Sequence, residues 1–282
     1  KPQFDPFQNR GGMQIQDVFQ RYSDDLNRVE ECMEESLRSD IHIIPQIIHH
    51  IIGSGGQRFR PLLLLAAADL CGYRGERRDT MSVVIEFVHT ATLLHDDVID
   101  SAEIRRGSVS ANNIWGNAAS VLVGDYLYST AFKLMTADGN LSIMRLVSQT
   151  TNTMSEGEIF QLVKCGKINL TEKEYLSIIE KKTSLLISTA CAVGGILGNA
   201  PDEHIEALTR FGMRLGSAFQ ITDDTLDYVA QEEEFGKAVG KDLAEGKITL
   251  PLIWVLKQCS AKEKSLIKKV VQHKAEGAGQ ML

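Results

Sequence analysis

Proline is scarce in this chain, with six in 282 residues. Four of them (Pro45, Pro61, Pro201 and Pro251) stand where helical apolar spacing begins, the position that tolerates the ring. Alternating apolar and polar segments with hairpin turns are missing, as are internal repeats and low-complexity linkers, which argues against a β or solenoid architecture. The five cysteines (Cys32, Cys71, Cys165, Cys191 and Cys259) are odd in number, scattered and without a CxxC pair. They offer neither a disulfide framework nor a thiolate zinc site, and a reducing, cytoplasmic setting is expected. No apolar run is longer than Leu62 to Ala68, far short of a membrane span. Basic residues are also in deficit: 30 Lys and Arg against 37 Asp and Glu give a net charge of −7. That balance argues against nucleic acid as a partner and, at first sight, against any anionic substrate.

What is present is helical spacing. With 43% apolar and 24% charged residues, the composition is that of a globular protein with room for a sizeable core. Apolar residues recur at helical intervals over roughly residues 15–37, 41–52, 61–72, 79–101, 109–136, 140–164 and 248–258. Thr171-Glu-Lys-Glu174 forms a capping box that opens a helix to about Leu197. Pro201-Asp-Glu opens another, with Ile205, Leu208, Leu215 and Phe219 on one face. Val83 to Leu94 and Leu185 to Leu197 are apolar on more than one face, as in helices walled in by others. The expected fold is all-α, a single-domain helical barrel or bundle over residues 13–282. Residues 1–12 lack periodicity and a secretory apolar core, and are set apart as an appendage or disordered N-terminus.

Two segments carry the chemistry: His95-Asp-Asp-Val-Ile-Asp100 and Thr222-Asp-Asp-Thr-Leu-Asp227. In each, the first and last aspartates lie one turn apart on one helical face, which destabilises an isolated helix. One such motif reads as a solvated acidic face; two, on largely apolar helices, ask for a cation between them. Short oxygen ligands without a His or Cys cluster suit Mg²⁺, which pairs a few carboxylates with substrate phosphates. His89 and Leu93 continue the stripe of Asp96 and Asp100, and Gln220 lies just before Asp223 and Asp224. Alone, His89 would read as a satisfied buried histidine, and His95 as a packing neighbour.

A second set of residues is basic. Gly53-Ser-Gly-Gly-Gln-Arg-Phe-Arg-Pro61 is a glycine-rich loop opening a helix, where exposed amides and the guanidinium groups of Arg58 and Arg60 suit a phosphate. Arg105-Arg106-Gly107 is expected to end the first aspartate helix, with cations at its C-terminus. Lys181-Lys182-Thr183, Gly236-Lys237 and Gly246-Lys247 add lysines that singly read as surface charge. They gain meaning only in a fold that gathers them.

Together these segments resemble the trans-isoprenyl diphosphate synthases, the polyprenyl synthetase family. The likeness runs in the family's order over roughly residues 20–258. It comprises GGxRxRP at 55–61, DDxxD at 96–100 with RRG at 105–107, KT at 182–183, FQ…DDxxD at 219–227, and GK…KD…EGKxTLP at 236–251. HTATLLHDDVID and WGNAASVLVGDYLY place it nearest the bacterial long-chain members that make octaprenyl diphosphate. The resemblance implies an all-α fold around a deep central cavity, commonly a homodimer. It implies head-to-tail addition of isopentenyl diphosphate to an allylic diphosphate such as farnesyl diphosphate, giving a long all-trans product for quinone side chains. It also implies Mg²⁺, three ions per site, held by Asp96, Asp100, Asp223 and Asp227. Arg105, Lys182, Lys237 and Lys247 would contact the allylic diphosphate; Gln57, Arg60, His89 and Arg106 are placed with isopentenyl diphosphate. Thr183 and Gln220 would line the place where the allylic cation forms. No residue stands out as the base, and released diphosphate is a plausible proton acceptor.

Two departures from the family pattern matter. Gln57 stands where lysine is usual, which implies a raised Michaelis constant for isopentenyl diphosphate, with Arg58 or Arg60 left to compensate. The chain is also expected to lack the family's last helices. Small residues at Ala91 and Thr92, one turn before Asp96, leave the growing chain a way past, where Phe or Tyr would plug it. Met135 and Val147 are candidate floor residues, although core packing explains them equally. A product of eight isoprene units follows from the resemblance alone. A non-catalytic partner subunit would commonly lose one aspartate motif, and a terpene cyclase would have a degenerate second motif and no isopentenyl site; this chain keeps all three features. Without the six motif aspartates the charge would balance to about −1, from 30 cations and 31 anions. The acidity that argued against anionic substrates is therefore largely a proposed magnesium site.

Overall fold

The computed structural model describes residues 14–53, 58–229 and 240–278. Among these, α1 (Ile15–Arg21) and α2 (Ser23–Ser36) are one amphipathic stretch broken at Tyr22, whose φ of −101° and ψ of 12° are not helical. They lead to α3 (Ile43–Gly53), α4 (Phe59–Leu70) and the central α5 (Arg77–Ile99). A two-stranded ribbon of β1 (Ile104–Arg105) and β2 (Ser108–Val109) follows. Then come α6 (Ala111–Trp115), α7 (Asn117–Asp138), α8 (Leu141–Lys164), α9 (Glu172–Ile179), a π-helical turn (Glu180–Ser184), α10 (Leu185–Leu197) and α11 (Asp202–Val229). The described chain closes with α12 (Lys241–Ala244), α13 (Leu250–Gln258) and α14 (Ala261–Ala278).

The first half of α5 is buried on nearly every side, as its unbroken apolar run requires. It packs against α2, α4, α7 and α10. The α5–α7 pair is antiparallel: a ring nitrogen of His95 lies 3.1 Å from the Val121 carbonyl, while Arg77 at the other end grips Asp138 at 2.6 and 2.9 Å. His95 also stacks on Tyr128, so the residue before the first aspartate is a packing neighbour. One apolar core runs through α2–α5, α7, α8 and α10, built around side chains such as Phe87, Met33 and Leu127. A smaller core under α9, α13 and α14 gathers Tyr175, Ile178, Leu252 and Val271.

The structure departs from the periodicity in four places. Gly116, with φ +85°, splits the expected 109–136 helix into α6 and α7. The stretch expected to close the first aspartate helix is instead a hairpin: α5 stops at Ile99, and Arg106 and Gly107 form the turn of the ribbon. Both have positive φ, as a two-residue turn matching strand twist demands. The capping box at Thr171 is present, but its helix passes into a π turn before α10. α14 lies beyond the last helix read from the apolar spacing.

Candidate active site

The second half of α5 opens along one stripe. His89, Thr92, Leu93, Asp96 and Asp100 are partly exposed, whereas Ala91, Leu94 and Asp97 between them are buried. Spacings of three and four residues make this one helical face, and Asp96 lies about 10 Å along the axis from His89. Four other segments meet that face.

At the acidic end, the Lys182 ammonium lies 3.3 Å from Asp96 Oδ2 and pairs also with Glu158 of α8. Lys247 Nζ sits 3.0 Å from Asp100 Oδ2 and 2.7 Å from Glu245 Oε2. Burial opposes charge on both lysines, but Asp96 and Glu158 outweigh it for Lys182, and Asp100 and Glu245 for Lys247. Both ammonium groups are therefore held charged. The π turn makes the placement of Lys182 possible, since π bulges re-aim side chains and concentrate at functional sites. It is seated between two glycines: a Cβ on Gly157 would lie 2.6 Å from Lys181 Cβ, and one on Gly216 would strike the Ser184 backbone.

The next residue, Thr183, donates to Gln220 Oε1 at 2.7 Å, and Gln220 Nε2 donates to Asp224 Oδ1 at 2.7 Å. Tyr175 OH completes that network at 2.6 Å from Asp224 Oδ2. Asp224 is thus a buried anchor that orients Gln220, while Asp223 is exposed and makes no ion pair among the described residues. Asp227 Oδ2 accepts from the Asp242 backbone N–H at 3.1 Å. Burial, then the nearby Asp224 and Asp227, push the Asp242 carboxyl up to about 7.

The basic end lies around His89. Arg60 Nε is buried and without a hydrogen-bond partner among the described residues. Burial first, offset by Glu86 and reinforced by Arg106, brings that guanidinium down to about 10. His89 is held neutral, its pKa well below the usual value, by burial and then by Arg60, Arg106, Arg105 and Arg58. Arg58 is already committed, to Glu30 at 2.5 Å and Glu86 at 3.3 Å. Arg58 and Arg106 both adopt left-handed backbone, φ 48° and 50°, a cost that clusters at functional sites. Phe59 stacks on Phe219 with ring centres 6.2 Å apart, joining the start of α4 to the helix of the second aspartate motif.

The residues thus fall into two sets on one stripe, with Arg105 tied back to buried Asp97 at 2.7 Å. Gln57 and Lys237 lie outside the described residues. Thr92 faces the open stripe, its hydroxyl bonded to the His89 carbonyl at 2.6 Å. Ala91, Met135 and Val147 are packed in the main core. The reading by spacing missed Glu158, Tyr175 and Glu86, because nothing in a linear motif marks a partner on another helix.

The donor set fits a hard divalent cation. The acidic-end donors are carboxylate oxygens, and no three His, Cys, Asp or Glu side chains among the described residues form a ready-made metal cage. Mg²⁺ takes few protein ligands and completes its shell with phosphate and water. Lysine ammonium groups stand on Asp96 and Asp100, while burial first and neighbouring carboxylates second raise the pKa values of Asp224 and Asp242.

A largely helical fold thus presents carboxylates and lysines near one end of a stripe and an arginine-lined pocket around His89 at the other. The chain belongs to the polyprenyl synthetase family, whose model matches residues 41–281, and it is a prenyl-transferring enzyme. It is 40% identical over 260 residues to octaprenyl diphosphate synthase of Escherichia coli K12, covering 92% of this chain and 80% of that protein. Among solved structures it resembles a decaprenyl diphosphate synthase from Rhodobacter capsulatus, with TM-score 0.87 and 41% identity over 93% of this chain and 82% of that one. It also resembles a polyprenyl synthase from Caulobacter crescentus CB15 complexed with calcium and isoprenyl diphosphate, with TM-score 0.89 and 36% identity over 94% and 81%.

Proposed function

We propose that this chain is a Mg²⁺-dependent synthase that extends an allylic diphosphate such as farnesyl diphosphate with isopentenyl diphosphate, to about eight isoprene units. The observation that carries the reading is the stripe on α5, where Asp96 and Asp100 face lysines at one end and His89 lies among arginines at the other. The divalent ion and isoprenyl diphosphate named for the Caulobacter structure support a metal-assisted diphosphate site. Chain length rests on the octaprenyl synthase relatives.

Asp96, Asp100, Asp223 and Asp227 would hold Mg²⁺, which when bound neutralises the charge growing on the diphosphate leaving group. Lys182 and Lys247 add fixed positive charge there, with Arg105 and Lys237 as further contacts. The C1–O bond of the allylic diphosphate breaks and its electron pair leaves with diphosphate. The Thr183–Gln220 pair, locked by Asp224, directs polar groups toward the allylic cation. Arg60, Arg106 and neutral His89, with Gln57, hold isopentenyl diphosphate so that its double bond forms the new C–C bond; loss of a proton then restores an alkene. Apolar Leu93 and the core behind the stripe exclude water. Thr92 is the better-placed determinant of chain length, since it lies on the open face while Ala91 is walled in. Exposed Val121, Leu122 and Phe132 on α7 are suited to contact with a second copy, in keeping with a homodimer. No helix among the described residues is long and apolar enough to cross a membrane, and a cytoplasmic enzyme releasing a lipid product for quinone side chains is consistent with this.

The test is incubation of purified chain with Mg²⁺, farnesyl diphosphate and labelled isopentenyl diphosphate, followed by chromatography of the products. Polyprenyl products near eight units are expected. Cyclic hydrocarbon, or turnover only after a partner protein is added, would overturn the proposal.

A further inference from the structure

We infer that Glu158 is a positioning residue that gives Lys182 a second carboxylate partner and so frees the metal-binding carboxylate of Asp96, an inference resting on the prenyl-transfer reading above. Lys182 has two acidic partners on different helices, Asp96 of α5 and Glu158 of α8. They are not equivalent. Asp96 is needed to bind a divalent cation, and a carboxylate oxygen cannot fully satisfy an ammonium and a metal together. Glu158 lies outside both aspartate motifs.

The packing commits Glu158 to this lysine. The neighbouring Gly157 lets α8 approach the π turn so closely that Lys181 fills the space of a glycine side chain. In register, Lys181 meets Glu156 at 3.5 Å while Lys182 meets Glu158. The two pairs pin the turn to α8. With Glu158 in place, Lys182 has somewhere to stay when Asp96 turns to the cation. Without it, Lys182 pairs with Asp96 alone, and lysine and cation compete for one carboxylate.

The variants are Glu158→Gln, close in shape but without charge, Glu158→Asp, Lys182→Met and the double variant Glu158→Gln/Lys182→Met. Binding of Mn²⁺ with farnesyl diphosphate, without isopentenyl diphosphate, is followed by the loss of the free-ion paramagnetic resonance signal. Thermal midpoints check that each variant is folded. Glu158→Gln is expected to weaken Mn²⁺ binding about tenfold, the scale of a hydrogen bond to a charged group. Glu158→Asp should recover part of that loss. In the Lys182→Met background Glu158→Gln should have no further effect, because the competitor is gone. Unchanged Mn²⁺ affinity in folded Glu158→Gln would overturn the inference, as would a full-sized effect in the Lys182→Met background. Because the readout is binding, failure of the wild-type chain to elongate isopentenyl diphosphate would count against the function and leave this comparison decisive on its own.

Discussion

The two aspartate motifs are alike as strings and differ as sites. Each gives up its middle aspartate to the interior: Asp97 is 0% exposed and grips Arg105, and Asp224 is 5% exposed and anchors Tyr175 and Gln220. The outer aspartates then diverge. Asp96 and Asp100 are each met by a lysine, whereas Asp223 is exposed without an ion pair among the described residues, and Asp227 lies in a group with Asp224 and Asp242. Among the described residues, the first motif thus meets lysines directly, while the second gathers its carboxylates beside Asp242, with Lys247 as the cation acting on Asp224 and Asp242. Burial, and then the neighbouring carboxylates, raise the carboxyl pKa of Asp242 in that group.

The largest effect should come from removing either outer pair. Asp96→Asn and Asp223→Asn are each expected to lower kcat about a hundred- to a thousandfold, as for other groups that stabilise developing charge. Raising Mg²⁺ should recover more activity in Asp96→Asn, whose loss leaves Lys182 still paired with Glu158. Equal responses would erase the distinction between the motifs.

A large but different effect is expected one turn before the first motif. Thr92→Tyr should shorten the products on chromatography, because the new ring projects from the open stripe. Ala91→Tyr should instead lower the thermal midpoint, at a cost of about 1–3 kcal/mol typical of overpacking. Shortening by the Ala91 variant without loss of stability would reverse the two assignments.

The basic end offers a smaller, pH-dependent test. His89 is held neutral with its pKa below the unfolded value, so below about pH 6.5 the unfolded chain binds a proton that the folded chain refuses. Stability contributed at higher pH is therefore lost as pH falls from about 6.5 toward the folded value. The groups facing His89 are Arg58, Arg60, Arg105 and Arg106, with Glu86 one turn earlier. Thermal midpoints of His89→Gln between about pH 7 and pH 5 should fall less steeply than those of the parent. Parallel curves would contradict a neutral, crowded His89. Smallest of all, Gln57→Lys should lower the Michaelis constant for isopentenyl diphosphate by about three- to fivefold, the worth of a single solvated ion pair. An unchanged constant would show that Arg60 already does this job.

The all-helical fold was legible because long helices advertise themselves by period. The capping box at Thr171 and the prolines at 201 and 251 marked helix starts through local chemistry. The hairpin at Arg105–Ser108 was not legible, since a four-residue ribbon leaves no alternation to detect. Nor was the π turn, because one extra residue in a helix changes no residue type. In the site, the outer aspartates and Lys182 were visible as motifs. The burial of Asp97 and Asp224 was hidden, because identical letters at adjacent positions differ only in which helix faces them. Glu158 was invisible for the same reason: its partner comes from a different helix.

If the outer aspartates of the two motifs hold a cation beside the diphosphate, diphosphate binding should depend on that cation. The direct measurement is calorimetric titration of the intact chain with farnesyl diphosphate, without isopentenyl diphosphate, in excess Mg²⁺ and again in excess EDTA. Binding is expected in Mg²⁺ and its loss in EDTA, with Asp223→Asn weak in both. Equal affinity with and without Mg²⁺ would show that the lysines and arginines bind the diphosphate unaided, and would contradict the proposed magnesium site.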